Sequence, residues 1–445
     1  MLLMHNKEDR IMIDSNDILT LLSIPCEDVS NVEIISDTSD IIFADIELKD
    51  KRSICPFCFH DNIVIKDYYK VTIKNSVIRK RKLYVNIKVR RYKCKHCNKT
   101  FKQEFSFYED NQSISKNTKH LVQQMLMDRV SMEYIAKELN IAKKTVINIL
   151  DEMIEPQRLK LPSVICLDEF HFSNANNKAG KYPCVISNPF NTELIDIIES
   201  RRKNYLIDYF SNISLKERNN VKYFISDMNE TYRSIHKIFF RNSIHIVDHF
   251  HVVKLFTEAI QQVRINIMKK QEDKSKEYKY LKSNWKLFLK KRYDLKDSKY
   301  TKSGIVYYVL DDIDFVLKKY KDLFFVYWAK EEFSNKMLKL HEYDETKKTI
   351  DFFINQYSKS TVPQLNEIAK TFTNWYDEII NAYSKNTYGV VLSNAMAESN
   401  NNYIQTLINI GYGYSNFKRL RKRILYMSSN KKEPVLTLIP YCRPH

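Results

Sequence analysis

Ser163-Val-Ile-Cys-Leu-Asp168 and Val221-Lys-Tyr-Phe-Ile-Ser-Asp227 are apolar runs of strand length, each closing on an aspartate. Such runs predict buried strands that deliver a carboxylate at the polar end. Between them, Tyr182–Ser187 after Gly180 and Glu193–Glu199 predict a second and a third strand, followed by an amphipathic helix near Tyr205–Ile213. Beyond Asp227, Glu230–Phe240 predicts a helix, Ile244–Val247 a fifth strand, and Val252 onward a further helix.

The order β-β-β-α-β-α-β-α is that of a ribonuclease H-like domain, in which the first and fourth strands are neighbours. Asp168 and Asp227, 59 positions apart (227 − 168), are therefore expected to meet. A third acid, Glu398, lies in Ser393-Asn-Ala-Met-Ala-Glu-Ser-Asn-Asn-Asn-Tyr-Ile-Gln405, where Asn394, Glu398, Asn401 and Gln405 share one face at helical spacing. Hard oxygen ligands on rigid elements suit a pair of Mg²⁺ (or Mn²⁺) ions about 3.5–4 Å apart, the arrangement that activates one phosphate oxygen and stabilises another. Asp248 and Glu169 are the alternative acids; His245, His249 and His251 read as packing. From about 256 to 384 strand signals stop and helical period takes over, which predicts an all-α insertion whose aromatics, Trp285, Trp328 and Trp375 among them, belong to its core.

Charge is unevenly spread. Residues 1–50 carry 3 basic and 12 acidic side chains, and residues 51–110 carry 16 basic and 5 acidic, a reversal that predicts a boundary and a polyanion partner. The basic stretch holds Cys55-Pro-Phe-Cys58 and Cys94-Lys-His-Cys97, two C-x2-C knuckles 35 residues apart. Each knuckle supplies two thiolates within reach of one structural Zn²⁺. Cys26, Cys166, Cys184 and Cys442 show no such spacing. Between the knuckles, alternation over Val71–Ile78 and Leu83–Tyr92 predicts a hairpin presenting Lys80, Lys82, Lys88 and Arg90 to phosphates.

Ser131–Leu139 predicts a capped helix, Asn140-Ile-Ala142 a tight turn, and Lys143–Leu150 a second helix. Ile135, Ala136, Leu139, Ile141, Val146, Ile147 and Leu150 pack across the turn in this reading, leaving Lys143, Lys144, Thr145 and Asn148 for a DNA groove, as in a helix-turn-helix. Near the C-terminal end, Lys418, Arg419, Arg421, Lys422 and Arg423 form a basic cluster suited to phosphate. No apolar run reaches the roughly 20 residues of a membrane span, and Met1–Arg10 lacks a signal peptide's apolar core, so a soluble intracellular protein is expected.

Together the CPFC and CKHC knuckles, the helix pair, CLDEF, ISDMNETYR, IVDHFHVVK and SNAMAESNN followed by GYGYSNFKRLRKRIL resemble the DDE transposases of the ISL3 insertion-sequence family over nearly the whole chain. It departs from relatives at His249, where Arg or Lys is common, and at Gln405, where Lys commonly follows the glutamate. The resemblance implies a multidomain α+β chain: an acidic segment 1–50, a zinc module 51–110, a helix-turn-helix domain 111–160, a ribonuclease H-like core 161–255, the all-α insertion 256–384, and a last core part 385–445. It implies Asp168, Asp227 and Glu398 as catalytic residues and Mg²⁺ ligands, and DNA contacts that extend to Asn401, Arg419, Arg421 and Arg423. The expected activity is metal-dependent cleavage and strand transfer at terminal inverted repeats by a homodimer or larger assembly on double-stranded DNA, in the bacterial cytoplasm at the nucleoid. A nuclease of the same fold without joining activity and a non-catalytic zinc/helix-turn-helix regulator are the alternatives.

Overall fold

The computed structural model describes residues 19–429 except 21, 23, 53, 76–80, 109–111, 154, 174–178, 192, 272–274, 297, 412, 413 and 415. The chain divides into two compact units, Met1–Gln157 with Thr406–His445, and Arg158–Gln405.

In the first unit, β1 (Val29–Asp37), β2 (Ile41–Leu48), β3 (Ile63–Lys74) and β4 (Lys82–Cys94) form a sheet in the order β1-β2-β4-β3, with β5 (Thr100–Lys102) also paired to β4. Period-2 alternation buries Ile42, Ala44, Ile46 and Leu48 of β2 and Leu83, Val85, Ile87 and Val89 of β4 in one core. The hairpin strand expected over Val71–Ile78 runs instead over Ile63–Lys74; Ile78 and Lys80 lie outside the described residues. The charge reversal near residue 50 is not a boundary. Acidic β2 pairs in parallel with basic β4, Glu47 opposite Lys88, and Asp28, Asp37, Asp45 and Glu47 pair with Lys51, Arg81, Lys70 and Lys88.

Three helices follow: α1 (Lys116–Met125), α2 (Met132–Glu138) and α3 (Lys143–Glu152). Ser131 Oγ accepts from Tyr134 N at 3.0 Å, capping α2, and Asn140 takes the left-handed turn conformation at φ 51°. The expected apolar set is buried except for half-buried Ile147; Ile149, the 3.6-residue successor of Val146, takes the inward place.

The second unit holds β6 (Val164–Glu169), β7 (Cys184–Ser187), β8 (Leu194–Ile198), α4 (Lys203–Ser211), α5 (Leu215–Arg218), β9 (Tyr223–Ser226), α6 (Glu230–Phe239), β10 (Ile244–Val247) and α7 (His249–Lys269). The sheet order is β10-β9-β6-β7-β8, parallel across β10, β9 and β6 and antiparallel across β7 and β8. Both faces are covered. Val164, Cys166, Tyr223 and Ile225 enter one core with the helices after β10, while Ile165, Leu167 and Phe224 enter the other with α4 and α6. Two-sided burial explains the near-continuous apolar runs.

Next come α8 (Lys276–Ser283), β11 (Lys299–Lys302), β12 (Ile305–Tyr308), α9 (Val309–Lys319), α10 (Lys321–Lys336), α11 (Tyr343–Ser358), α12 (Pro363–Asn374), α13 (Tyr376–Tyr383) and α14 (Ala395–Ile410). The insertion is thus not all-α. β11 and β12 make a two-stranded ribbon around Ser303-Gly304, whose φ values of 49° and 80° match a mirror-image hairpin turn. The last helix, α15 (Phe417–Ser429), belongs to the first unit, so the expected segment 385–445 is divided at 405/406.

Candidate active site

The four knuckle thiols converge. Cys55 Sγ lies 3.6 Å from Cys97 Sγ and Cys58 Sγ 3.6 Å from Cys94 Sγ, and all four sulfurs fall within 4.8 Å of one another. A tetrahedral Zn²⁺ with Zn–S bonds of about 2.3 Å sets its sulfurs about 3.8 Å apart, so the donor set fits one ion. Each knuckle closes through a left-handed residue four positions after its first cysteine, Phe59 at φ 58° and Asn98 at φ 58°. That bend returns the chain, with Cys55 N donating to His60 O and Cys94 N to Lys99 O.

In the second unit, β6 and β9 run parallel with Leu167 opposite Ser226, so Asp168 and Asp227 leave neighbouring strands at matched register. Alternation points both to the face of Val164, Cys166, Tyr223 and Ile225. Asp168 is 7% exposed; its Oδ1 accepts from Glu169 N at 2.8 Å and its Oδ2 from Asn401 Nδ2 at 2.8 Å. Burial raises its carboxyl above the usual range. At Asp227 burial, with the charges of Asp168, Glu169 and Asp248 adding to it against His251, pushes the carboxyl up to about 7.

Asp248 follows β10 and begins α7, and His251 lies in the first turn. His251 Nδ1 stands 3.0 Å from Asp227 Oδ1 and 3.3 Å from Asp248 Oδ2. Burial opposes charge on the ring, yet the Asp248 hydrogen bond and the Asp227 charge prevail and hold His251 above its ordinary value. Asp227, Asp248 and His251 are accordingly a close group, and His251 is not mere packing. The sequence signal was the D-x-x-H spacing at a strand-to-helix junction. His245 and His249 do pack: burial lowers both, His249 to about 4, and His249 meets Tyr383 edge-on. Glu169, the other alternative acid, pairs with Arg201 and accepts from Tyr232 Oη at 3.1 Å.

Helix α14 is fixed on both sides of Glu398. Four residues before it, Asn394 N donates to Asp248 Oδ1 at 3.0 Å and Asn394 Oδ1 accepts from the Cys166 thiol. Three residues after it, Asn401 holds Asp168. Glu398 itself is exposed, and among the described residues no close group of ligating side chains includes it. Asn401 Oδ1 is buried without a hydrogen-bond partner, and Asp227 Oδ1 is buried with His251 Nδ1 beside it at 3.0 Å, so both oxygens keep lone pairs suited to a hard divalent cation.

The expected DNA-contact residues fare differently. On α3, Lys143, Lys144 and Asn148 are exposed and Thr145 is half-buried. Lys82 and Lys88 are exposed on β4, whereas Arg90 turns to Leu48 O and Gln103. Asn401 spends its amide on Asp168 and Glu169 O. Arg419 pairs with Asp151 and Arg421 with Glu155, while Arg423, 1% exposed, is closed off from any phosphate.

A family model for transposases, the ISL3 type of DDE transposase, matches residues 165–424, more than half of the 445. The chain belongs to the ISL3 transposase family. A second match, over residues 51–97, is to the zinc finger of the transposases of IS204, IS1001, IS1096 and IS1165, and it spans both C-x2-C knuckles. No curated protein matches the chain. Membership implies a nucleotidyl-transfer enzyme acting on DNA. No described helix is long and apolar enough to cross a membrane.

Proposed function

We propose that this ISL3-family chain binds the terminal inverted repeats of an insertion sequence, cuts the DNA at the element's ends and joins those ends to target DNA. The observation that carries the reading is the pair Asp168 and Asp227 on adjacent parallel strands, with Asn401 from the Glu398 helix bonded to Asp168. In parallel sheets, sites form outside the carboxyl ends of strands where the strand order reverses, and β6 lies at that point. The 10-9-6-7-8 strand order and two-sided cover support a ribonuclease H-like core, and the α2–turn–α3 pair supports a helix-turn-helix that presents Lys143, Lys144 and Asn148.

Asp168, Asp227 and Glu398 would hold divalent cations, Mg²⁺ or Mn²⁺, which would supply Lewis-acid activation of a water or a 3′-hydroxyl and offset negative charge on the phosphate. Asn401 orients Asp168 by holding Oδ2. Asp248 anchors the start of α14, the helix that carries Glu398, through Asn394 N. First water attacks the phosphorus at the element's end and displaces the 3′-oxygen, breaking one ester and leaving a 5′-phosphate and a free 3′-hydroxyl; then that 3′-hydroxyl attacks a target phosphorus and displaces the target's 3′-oxygen, one ester broken and one made. No side chain becomes covalently attached to DNA.

A second reading of the metal set replaces Glu398 by Asp248, favoured by the close Asp227, Asp248 and His251 group. Full-length Glu398→Gln and Asp248→Asn proteins, incubated with pre-cleaved ends and plasmid, separate the two. Under the first reading Glu398→Gln binds the ends normally and loses joining on the order of 10³-fold or more. Hydrolysis without joined product in the wild type sinks the transposase reading, and retained joining in Glu398→Gln with loss in Asp248→Asn moves the ligand to Asp248.

A further inference from the structure

The stretch Lys276–Lys302 inside the insertion stands apart in charge. It carries 10 basic and 3 acidic side chains, a net of +7 (10 − 3), where the chain average of +18 over 445 residues gives about +1 for that length. All nine lysines in it are exposed, and among the described residues none forms an ion pair. Carboxylates close by are committed elsewhere: Glu277 to Lys319, Asp314 to Arg292, Asp312 to the Tyr300 hydroxyl. On α8, Lys276, Lys279 and Lys282 recur every three residues along one side.

Aromatic rings are interleaved with these charges. Trp285 is 37% exposed and Tyr293 83%, with Lys286 Nζ 5.5 Å from the Trp285 ring centre and Lys282 Nζ 5.4 Å from that of Tyr278. Rings that carry a cation over one face and leave an edge in water do not add to a core. In the β11–β12 ribbon all eight strand residues are exposed, and Tyr300 and Tyr307 stack at 5.4 Å. An isolated two-stranded ribbon is marginal in water.

We propose that Lys276–Lys302 is a second DNA-contact surface, separate from the helix pair of the first unit, that follows the phosphate backbone of duplex DNA while the acids act. The proposal rests on the transposase reading for the identity of the polyanion. A second copy's acidic segment is the competing occupant, and it is disfavoured because the acids of β1 and β2 and their flanks already pair inside their own sheet, Asp28 with Lys51 at 2.7 Å and Asp37 with Arg81. Exposed lysines without an ion pair among the described residues, beside half-exposed rings, match what a phosphate backbone and sugar edges need.

The test is binding of end-containing and unrelated duplex DNA across a salt series by full-length protein in which Lys279, Lys282, Lys286 and Lys290 are each replaced by Gln. Each lost phosphate contact lowers the slope of log K against log salt by about 0.9, so a fall of about 2–4 is expected, with affinity down on the order of 10–100-fold for both duplexes. A Lys→Arg set at the same positions keeps charge and should keep the slope; it serves as the folding-matched control, alongside far-UV circular dichroism. An unchanged slope in a folded Gln variant overturns the proposal. So does a DNA-free sedimentation coefficient that drops in the Gln variant while the slope holds, since the surface would then face a second copy. If the wild type fails to join ends yet the slope falls, the transposase reading is lost and the DNA surface stands.

Discussion

Two basic runs look alike in the sequence and behave in opposite ways in the fold. In Lys418–Arg423 five of six residues are basic, and four of the five turn inward to partners in the first unit. Arg419 and Arg421 hold Asp151 and Glu155, Lys422 holds the carbonyls of Asp151 and Met153, and Arg423 is buried among carbonyls. Lys276–Lys302 has nine lysines and no ion pair on any of them among the described residues. The difference teaches that a charge run is assigned by its surroundings: helix C-termini with free carbonyls absorb guanidinium donors, whereas a lysine stripe with no such acceptors stays in water.

Arg423→Met is the sharpest way to break this contrast. The guanidinium donates to Leu126 O at 3.2 Å, Asp128 O at 2.9 Å, Val130 O at 2.6 Å and Tyr414 Oη at 2.7 Å, binding α15 to the loop between α1 and α2. Methionine fills the volume but leaves these acceptors without donors, at a cost of about 1–3 kcal/mol each before relaxation and about 3–5 kcal/mol in total. Trp285, Trp328 and Trp375 all belong to the second unit, so tryptophan fluorescence reports that unit alone. The expected result is faster hydrogen exchange across α2 and α3 with an unmoved fluorescence transition. Wild-type exchange rates there would show that Arg423 is as dispensable as a surface lysine.

Lys422→Ala is expected to cost less, about 0.5–1.5 kcal/mol, because it removes one cation from the C-terminal end of α3 where water can replace it. Its Nζ donates to Asp151 O at 2.8 Å and Met153 O at 2.7 Å. The denaturant midpoint of the first unit is the measurement. An equal loss for a single exposed lysine such as Lys286→Ala, read at the second unit's midpoint, would erase the distinction between the runs.

Most of the sheet around the acids was legible because two-sided burial writes itself as apolar runs such as Val-Ile-Cys-Leu and Tyr-Phe-Ile-Ser, with errors of one or two residues at the ends. The knuckles were legible because thiolate spacing leaves few other readings, and the four sulfurs do converge. Three features were not. Parallel pairing of β2 with β4 joins residues 41 positions apart across a charge reversal (82 − 41, Ile41 opposite Lys82), and nothing local in either strand specifies it. The β11–β12 ribbon carried its own signal in Ser303-Gly304 between β-branched and aromatic residues, but a long helical context masked it. His251 was passed over because its partners, Asp227 and Asp248, come from two different strand ends, so only the folded sheet makes the group.

The smallest expected effect concerns Asp151 and Arg419, and it tests whether the inward-turned charges act as ion pairs at all. Hydrogen bonds from Arg419 hold the Asp151 carboxyl below its usual 3.8, with burial opposing. Because the folded-state value is the depressed one, the stabilisation is fully present above the unfolded value and is lost as pH falls through the folded value. Asp151 keeps 40% of its side chain exposed, so solvent screening limits the contribution to under about 1 kcal/mol. Denaturant midpoints of the first unit, compared between wild type and Arg419→Gln, should differ slightly at pH 6 and converge as the pH approaches 2, and 1 M NaCl should narrow the gap at pH 6. A gap that stays constant with pH and salt would mean that Arg419 stabilises α15 through packing of its stem, and the two basic runs would then differ in shape rather than in charge pairing.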